Sequence, residues 1–238
     1  TLATPSTAKN VMVVGAVSDA VYGGQRQLAL ATMTPFTSWG PTDDGRIKPD
    51  LVTSGMTLYS CTAIGDASYA SYSGTSMATA VVSGSAALLV EYYGRLFPGQ
   101  HMRSDMLRGL MIHTADDLEA AGPDYQTGWG LLNVEAAAEQ LLLHQRAPAT
   151  QRVVSGLLNP TQPSASYSCV SDGTRTLKVT LCWTDPPGPA QTGLDNTSPC
   201  LVNDLDLRVV APDGVTVHMP YILDPASPAS PVRWTVCG

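Results

Sequence analysis

A long stretch without a polar face, residues 76–93 (SMATAVVSGSAALLVEYY), constrains this chain most strongly. Placed on a helix, it is apolar almost all round and contains no proline, so it predicts an α-helix that is buried on every side. Gly94 suits the C′ position, where helices commonly end. The whole chain is 44% hydrophobic and only 14% charged, which is the composition of a packed globular protein.

Strand and helix signals alternate in the first 146 residues. Residues 10–17 (NVMVVGAV) form a nearly continuous apolar run, which predicts a buried strand of a parallel sheet, and residues 50–52 predict a second, short strand. Ser104 and Asn133 are suitable N-caps for two further helices, the latter reaching about His144. This order predicts the α/β class.

Helix signals end near residue 150 and short β signals follow. Residues 147–163 have the composition of a linker, and residues 176–183 (TLKVTLCW) alternate as a half-buried strand would. Residues 205–210 form a similar run, which Pro212-Asp213-Gly214 can turn into a partner at residues 215–218. A β-sandwich needs about seven strands, so residues 164–238 predict an incomplete all-β module.

Charge and cysteine content exclude several classes of protein. The formal net charge is −7 with no Lys/Arg run, which is unfavourable for nucleic-acid binding. No apolar run approaches the roughly 20 residues of a membrane-spanning helix. The five cysteines form no CxxC pair, so a metal-thiolate site is not expected. Disulfides in the last third of the chain and unpaired buried thiols both remain open.

The turn Ser73-Gly74-Thr75-Ser76 lies directly before the long apolar stretch, so Ser76 falls at the start of the predicted helix. The free N–H groups and the positive end of the helix dipole favour negative charge there. The backbone N–H of a serine in this place can also donate to a tetrahedral oxyanion. On these residues alone, a nucleophilic serine and a simple N-cap are both possible.

Several motifs in order along the chain resemble those of the subtilisin-like serine proteases, the subtilases of peptidase family S8. Gly74-Thr75-Ser76-Met77-Ala78 is similar to the family's nucleophile signature. Further similar stretches are residues 8–17, 36–41 (FTSWGP), 44–50 (DGRIKPD), 128–130 (GWG), 183–188 (WTDPPG), 201–207 (LVNDLDL) and 211–214 (APDG). The resemblance implies the C-terminal part of a catalytic domain at residues 1–146, with a parallel sheet and flanking helices. A linker at residues 147–163 and a truncated β-barrel or jelly-roll domain at residues 164–238 would follow.

The resemblance also implies a mechanism. Ser76 would attack a peptide carbonyl and form an acyl-enzyme, while a histidine takes its proton and an aspartate orients that histidine. Subtilases carry these groups in the order Asp, His, Ser, but no histidine precedes Ser76. We therefore expect the Asp, the His and the oxyanion Asn on polypeptide N-terminal to this chain, in the same or a separate chain. This fragment alone is expected to be inactive.

Other residues gain a role only through the resemblance. Ala3, Thr4, Pro5, Phe36 and Thr75 match positions that bind the polypeptide substrate, although Phe36 could equally be a core residue. Asp204 and Asp206 could share a structural Ca²⁺ ion, or could form turn and strand-end hydrogen bonds. No organic cofactor is implied. The family also suggests an extracellular or secretory location, with no signal visible in this chain.

Two departures from the family keep alternatives open. Ala80 stands where subtilases usually have proline, and Thr53-Ser54-Gly55 replaces Ala-Pro-Gly. These changes are compatible with an inactive pseudoprotease that serves as an interaction module. An α/β-hydrolase esterase would place its histidine after the serine, but its Gly-x-Ser-x-Gly pattern is missing here.

Overall fold

The computed structural model describes residues 2, 4–171, 173–174, 176–233 and 236–237. Within these described residues, nine strands and three α-helices are distributed over two parts that differ in regularity. The part up to residue 146 contains the helices and the buried strands. The part after residue 150 is built mainly of irregular backbone.

A short parallel pair forms the centre of the first part. Strand β1 (Val14–Val17) pairs with strand β4 (Leu51–Ser54), with Val14 opposite Leu51 and Val17 opposite Ser54. Seven of these eight residues are buried, which confirms the two predicted buried strands. Both begin later than predicted. Before β1, the chain bonds largely to the side chains of Lys48 and Asp50, with one backbone hydrogen bond from the Asp50 amide to the Val13 carbonyl.

Two small antiparallel hairpins accompany this pair. Strands β2 (Val21–Tyr22) and β3 (Gln25–Arg26) form the first, and a 3-10 turn at Leu28–Leu30 follows. Strands β5 (Leu58–Cys61) and β6 (Tyr69–Tyr72) form the second, which leads directly into the turn before the long helix.

Helix α1 (Thr75–Leu96) is the predicted long helix, but two details of the prediction are wrong. Gly94 lies inside the helix, which continues to Leu96, because Tyr93 and Phe97 pack with ring centroids 4.7 Å apart across the last turn. The helix is also not buried all round. One stripe is buried, whereas Leu88 on another face is 63% exposed, because the described chain covers only one side of α1.

Two shorter helices pack beside α1. Helix α2 (Ser104–Thr114) begins at Ser104, so its N-cap is Arg103 and the prediction of Ser104 as the cap is wrong. Helix α3 (Val134–Arg146) confirms the other predicted cap, because the Asn133 side chain accepts a hydrogen bond of 2.9 Å from the Ala136 amide.

The core lies on both faces of the β1–β4 pair. One face packs against all three helices, through residues that include Leu51, Ala78 and Leu141. The other face is covered by a smaller cluster that includes Val17, Val52 and Leu131. Parallel strands are normally apolar on both faces for this reason, and the arrangement confirms an α/β fold.

The second part contains a 3-10 turn at Pro148–Thr150 and one three-stranded antiparallel sheet. Its strands are β7 (Val209–Val210), β8 (Val217–His218) and β9 (Val236–Cys237). The predicted turn and hairpin at residues 209–218 are confirmed. The strand predicted at residues 176–183 is not formed in the described residues, because the alternating side chains there have no partner strand to pack with. The domain boundaries at residues 146 and 163 stay predictions.

No helix among the described residues combines the length and apolar character that crossing a membrane requires.

Candidate functional site

The turn before α1 is fixed by hydrogen bonds to the end of the β1–β4 pair. The Gly55 amide donates to the Val17 carbonyl (3.0 Å), and the Gly74 amide donates to the Gly55 carbonyl (2.8 Å). The Gly74 carbonyl then accepts the amides of Met77 (3.1 Å) and Ala78 (3.3 Å). The start of α1 is therefore joined to the carboxyl ends of both strands.

Gly55 has no room for a side chain. A Cβ atom built on it would lie 2.7 Å from Ala16 Cβ, 2.8 Å from the Gly74 carbonyl oxygen and 3.2 Å from Ala78 Cβ. These atoms belong to β1, the turn and α1, so the three elements meet at this residue. Gly55 lets them approach closely enough to place the first turn of α1.

Ser76 is the second residue of α1 and its side chain is exposed. Its hydroxyl makes no hydrogen bond to any other described residue. The first four N–H groups of an α-helix lack partners within the helix and carry partial positive charge. Ser76 thus combines a free hydroxyl with amide donors that can stabilise an oxyanion, as the sequence predicts for a nucleophile.

The β5–β6 hairpin is connected to the same turn, because the Thr57 amide donates to Ser73 Oγ (2.8 Å). Its surface is aromatic. Tyr59 is 72% exposed and stacks on Tyr69 with ring centroids 5.6 Å apart. Sequence analysis missed this hairpin, although the alternating Tyr-Ala-Ser-Tyr of β6 is a strand signal.

Phe36 lies on a loop that is attached to β1. Thr34 Oγ1 donates to the Ala16 carbonyl (2.9 Å), and the Ala16 amide donates to Thr37 Oγ1 (3.0 Å). Phe36 stands between these two anchors and is 42% exposed, so its alternative role as a core residue is wrong. The loop and Gly55 meet β1 at the same residue, Ala16.

The other predicted substrate-binding residues are placed differently. Thr75 is half-buried beside Ser76. Thr4 and Pro5 are exposed, and within the described chain neither forms a hydrogen bond with Ser76. The carbonyl of Thr7, shortly after them, accepts a hydrogen bond from Arg46, which precedes β4. Ala3 lies outside the described residues.

The four histidines occupy other places. His113 Nδ1 lies 2.9 Å from Thr180 Oγ1, and burial, with the charge of Lys178, lowers the pKa of His113. His144 packs near the Phe97 ring and burial lowers its pKa. His101 and His218 are exposed. In the described chain, none of them forms a hydrogen bond with Ser76.

Comparison with known proteins identifies the family. A model of the subtilase family of peptidases (Peptidase_S8) matches residues 1–130, more than half of the chain. The chain belongs to the subtilase family. The subtilase match includes both β1 and β4, the turn and Ser76, so the free serine lies in the region that defines the family.

Individual subtilases are similar over different lengths. The serine protease/ABC transporter B family protein tagA of Dictyostelium discoideum is 27% identical over 207 residues, 74% of this chain and 11% of its own length. The C5a peptidase of Streptococcus pyogenes is 31% identical over 113 residues, 44% of this chain and 10% of its own length. The chain therefore spans about a tenth of these curated relatives.

A solved structure, that of the Clostridium perfringens CspB protease, is 26% identical and superposes with a TM-score of 0.48. It covers 58% of this chain and 28% of the CspB chain. At this TM-score the superposition adds nothing to the family assignment, which rests on the match of residues 1–130.

The carboxylates predicted to hold calcium do not form a metal site by themselves. Asp204 is exposed, and the exposed Asp206 lies 3.8 Å from the Arg208 guanidinium. The described residues contain no group of three or more His, Cys, Asp or Glu side chains suited to a metal. Ca²⁺ takes six to eight oxygens, so two exposed carboxylates next to a cation are a poor fit.

Lys48 and Asp50 form a buried ion pair at the amino end of β4. Lys48 Nζ donates to Asp50 Oδ2 (2.6 Å) and to the Val11 carbonyl (2.7 Å). The Val13 amide also donates to Asp50 Oδ2 (2.6 Å). Burial lowers the pKa of Lys48, and the attraction of Asp50 opposes that effect. The pair holds the chain before β1 in register with β4 and so contributes to the placement of Gly55.

Proposed function

We propose that Ser76 is the nucleophile of a serine endopeptidase. Its Oγ bonds to the carbonyl carbon of a peptide, the C–N bond breaks, and the proton of the hydroxyl passes through a histidine to the leaving amine. Water then hydrolyses the acyl-enzyme. The observation that carries the proposal is the free hydroxyl of Ser76 on the first turn of a helix, in a chain of the subtilase family.

The remaining catalytic groups are proposed to come from polypeptide N-terminal to this chain, in the same or a separate chain. The described histidines make other contacts or lie on the surface, which supports an external base. The uncovered side of α1 supports it as well, because Val81 and Leu88, about two helical turns apart on one face, are 36% and 63% exposed. Apolar side chains on one helix face are normally covered by further structure.

The substrate is proposed to be a polypeptide that contacts Phe36 and Thr75 near Ser76 and the segment Ala3-Thr4-Pro5. Phe36 supports this role because its ring is accessible on an anchored loop. We also propose that residues 164–238 belong to a β-barrel or jelly-roll domain, and that the protein acts outside the cell. A Ca²⁺ ion at Asp204 and Asp206 remains a separate prediction that needs additional oxygen ligands.

Labelling the complete protein with a fluorophosphonate probe tests the nucleophile. We expect an adduct on Ser76 that Ser76→Ala abolishes. Ser83→Ala, which removes another exposed hydroxyl of α1, should retain the label. Absence of the adduct in the complete, folded protein would refute the proposal and favour an inactive pseudoprotease, which the Ala80 and Ser54 departures from the family pattern allow.

A further inference from the structure

Asp185, a carboxylate after residue 150, is only 2% exposed. Its Oδ1 accepts the amide of Asn203 (2.8 Å) and the side-chain amide of the same residue (3.1 Å). Its Oδ2 accepts a hydrogen bond from the Val202 amide (2.9 Å) and forms an ion pair with the Lys9 ammonium. These donors stabilise the ionised form of the Asp185 carboxylate, because an unpaired carboxylate could not remain ionised in a buried position.

All hydrogen-bond donors of the Lys9 ammonium are used by residues of the second part. Besides Asp185, its ammonium donates to the carbonyls of Pro186 (2.7 Å) and Cys200 (2.8 Å). A lysine ammonium has three N–H donors, and all three are used. Every partner lies after residue 180, although Lys9 itself lies just before β1.

Asn10 adds a reciprocal pair of hydrogen bonds to the main chain of Asp185. Its Nδ2 donates to the Asp185 carbonyl (2.8 Å), and the Asp185 amide donates to its Oδ1 (3.1 Å). Two successive residues before β1 are therefore held by one residue of the second part. Together, Lys9, Asn10 and Asp185 are called the Asp185 clamp below.

Arg108 on α2 connects the clamp to the helices. It donates to the carbonyls of Trp183 (2.6 Å) and Lys9 (3.4 Å) and approaches Cys182 Sγ (3.2 Å). Near the end of α2, the His113–Thr180 contact forms a second tie to the same segment. Residues 180–186 are thus attached both to α2 and to the segment before β1.

The segment held by the clamp leads from the proposed substrate-binding residues to β1. On its other side, Arg46 donates to the Thr7 carbonyl (2.9 Å) and Lys48 donates to the Val11 carbonyl (2.7 Å). Those two ties come from the first part of the chain. The ties to Lys9 and Asn10 come from the second part, so the second part contributes directly to fixing residues 7–11.

We propose that Asp185 is a positioning residue through which the second part of the protein holds residues 7–11 and, before them, Thr4 and Pro5, which are proposed to contact substrate. The effect on substrate rests on the proposed protease function, whereas the effect on the segment does not. The clamp acts through Lys9 and Asn10 and does not touch the reacting atoms.

Three variants of the complete protein test the clamp. Asp185→Asn keeps the size of the side chain but leaves the Lys9 ammonium without its counter-charge. Asn10→Ala, at an exposed side chain, removes only the reciprocal pair and is the milder variant if Asp185→Asn does not fold. Glu139→Gln, on the exposed side of α3, removes one negative charge elsewhere and is the control.

Hydrogen exchange is the readout that does not depend on activity. In Asp185→Asn we expect the amides of residues 4–12 other than Pro5, including the Ala8 amide that donates to the Pro5 carbonyl, to exchange at least about tenfold faster, while β5–β6 and α3 keep their rates. Asn10→Ala should show a smaller change in the same residues, and Glu139→Gln should show none. Unchanged exchange of residues 4–12 in both clamp variants overturns the proposal, and so does a uniform increase over the whole chain.

Peptide hydrolysis gives the second readout. We expect KM to rise at least about threefold in Asp185→Asn while kcat stays within about twofold, because weaker positioning of a substrate segment lowers binding more than chemistry. The rate of fluorophosphonate labelling at Ser76 should not change. A proportional loss in kcat and in labelling would show a merely structural role. If Ser76 in the unmodified protein does not react at all, the protease function fails and the exchange experiment still decides the clamp.

Discussion

Replacing Gly55 with alanine tests how closely β1, the turn and α1 must approach one another. The new Cβ would lie 2.7 Å from Ala16 Cβ and 2.8 Å from the Gly74 carbonyl oxygen. Optimal carbon–carbon contacts are about 3.5–4.0 Å, so both neighbours must move by several tenths of an ångström. Neither is the end of a flexible side chain, so the backbone itself has to shift.

The expected cost follows from overpacking. Extra atoms in a close-packed interior destabilise by about 1–3 kcal/mol. Reduced backbone freedom of the unfolded chain offsets about 0.4–1 kcal/mol of this cost. A net loss of about 1 kcal/mol lowers Tm by roughly 2–4 °C in a chain of this size. Because Gly74 moves with the new side chain, the position of Ser76 changes as well, and fluorophosphonate labelling of the complete protein should slow.

Gly84→Ala is the matched control. Gly84 lies inside α1 with no atom within 4 Å of a Cβ built on it, so alanine fits there. The change should raise the free energy of unfolding by about 0.5–1 kcal/mol through helix propensity alone. Urea unfolding followed by circular dichroism measures both variants. If Gly55→Ala is as stable as the unmodified protein, the close approach of these elements is not what places Ser76.

Three further predictions concern single side chains. Asn133→Ala removes the cap of α3 and the hydrogen bonds from Asn133 Nδ2 to Asp116, and the loss of the cap should lower the free energy of unfolding by about 1 kcal/mol; Asn133→Ser, which keeps a capping oxygen, should recover only the part due to the cap in the same urea titration. Ser54 Oγ is buried without a partner among the described residues, so Ser54→Ala should raise the urea midpoint; a lower midpoint would reveal a hydrogen bond that the hydroxyl makes in solution. Burial alone would raise the pKa of Asp185, but the Lys9 ammonium and the amides around it hold that pKa well below the usual value. The stabilisation by Asp185 is therefore complete above about pH 4, the pKa of an unfolded aspartate, and is lost as the pH falls below it. The stability difference between Asp185→Asn and the unmodified protein should stay constant from pH 6 to about pH 4 and shrink as the pH falls further; a difference that stays constant below pH 4 would contradict the assignment.

The elements that could be predicted have local causes. The buried strands, the helix that starts near Ser76 and the Asn133 cap each follow from a few adjacent residues. The turn at Pro212-Asp213-Gly214 is local in the same sense, since Asp213 bonds to the amides of Val215 and Thr216. Such signals act within one turn of helix or one hairpin, so the structures they specify do not depend on contacts with distant parts of the chain.

The errors arise where distant contacts override local preference. Gly94 was expected to end α1, but glycine costs only about 1 kcal/mol in a helix, and the packing of Tyr93 and Phe97 outweighs that cost. Residues 176–183 alternate like a strand, yet Thr180 and Trp183 bond to α2 residues or to loops instead of a neighbouring strand. A strand needs a partner, and the alternation of its own residues does not supply one.

The candidate site also combines features with local sequence signals and features that depend on distant contacts. The motif around Ser76 predicts the nucleophile, but nothing local indicates that Lys9 pairs with Asp185, 176 residues later. The buried charged residues of the described chain are Lys48, Asp50 and Asp185, and each of them bonds to the segment before β1. The hydrogen bonds of buried charges are directional and determine which atoms must meet, whereas the hydrophobic effect has no preferred direction.

The buried charges also explain how a pair of two short parallel strands can fix the position of Ser76. Four residues on each strand offer few ladder bonds, so polar contacts beyond the ladder contribute to fixing their register. The Asp50 carboxylate, which accepts the Val13 amide and the Lys48 ammonium, fixes one register at the amino end of β4. That register places Gly55, just after β4, beside Ala16 and within hydrogen-bond reach of the Val17 carbonyl. The Gly74 amide in turn donates to the Gly55 carbonyl, and Gly74 is the N-cap of α1. The position of Ser76 therefore depends on a polar contact at the far end of the strands, and the family motif alone does not determine it.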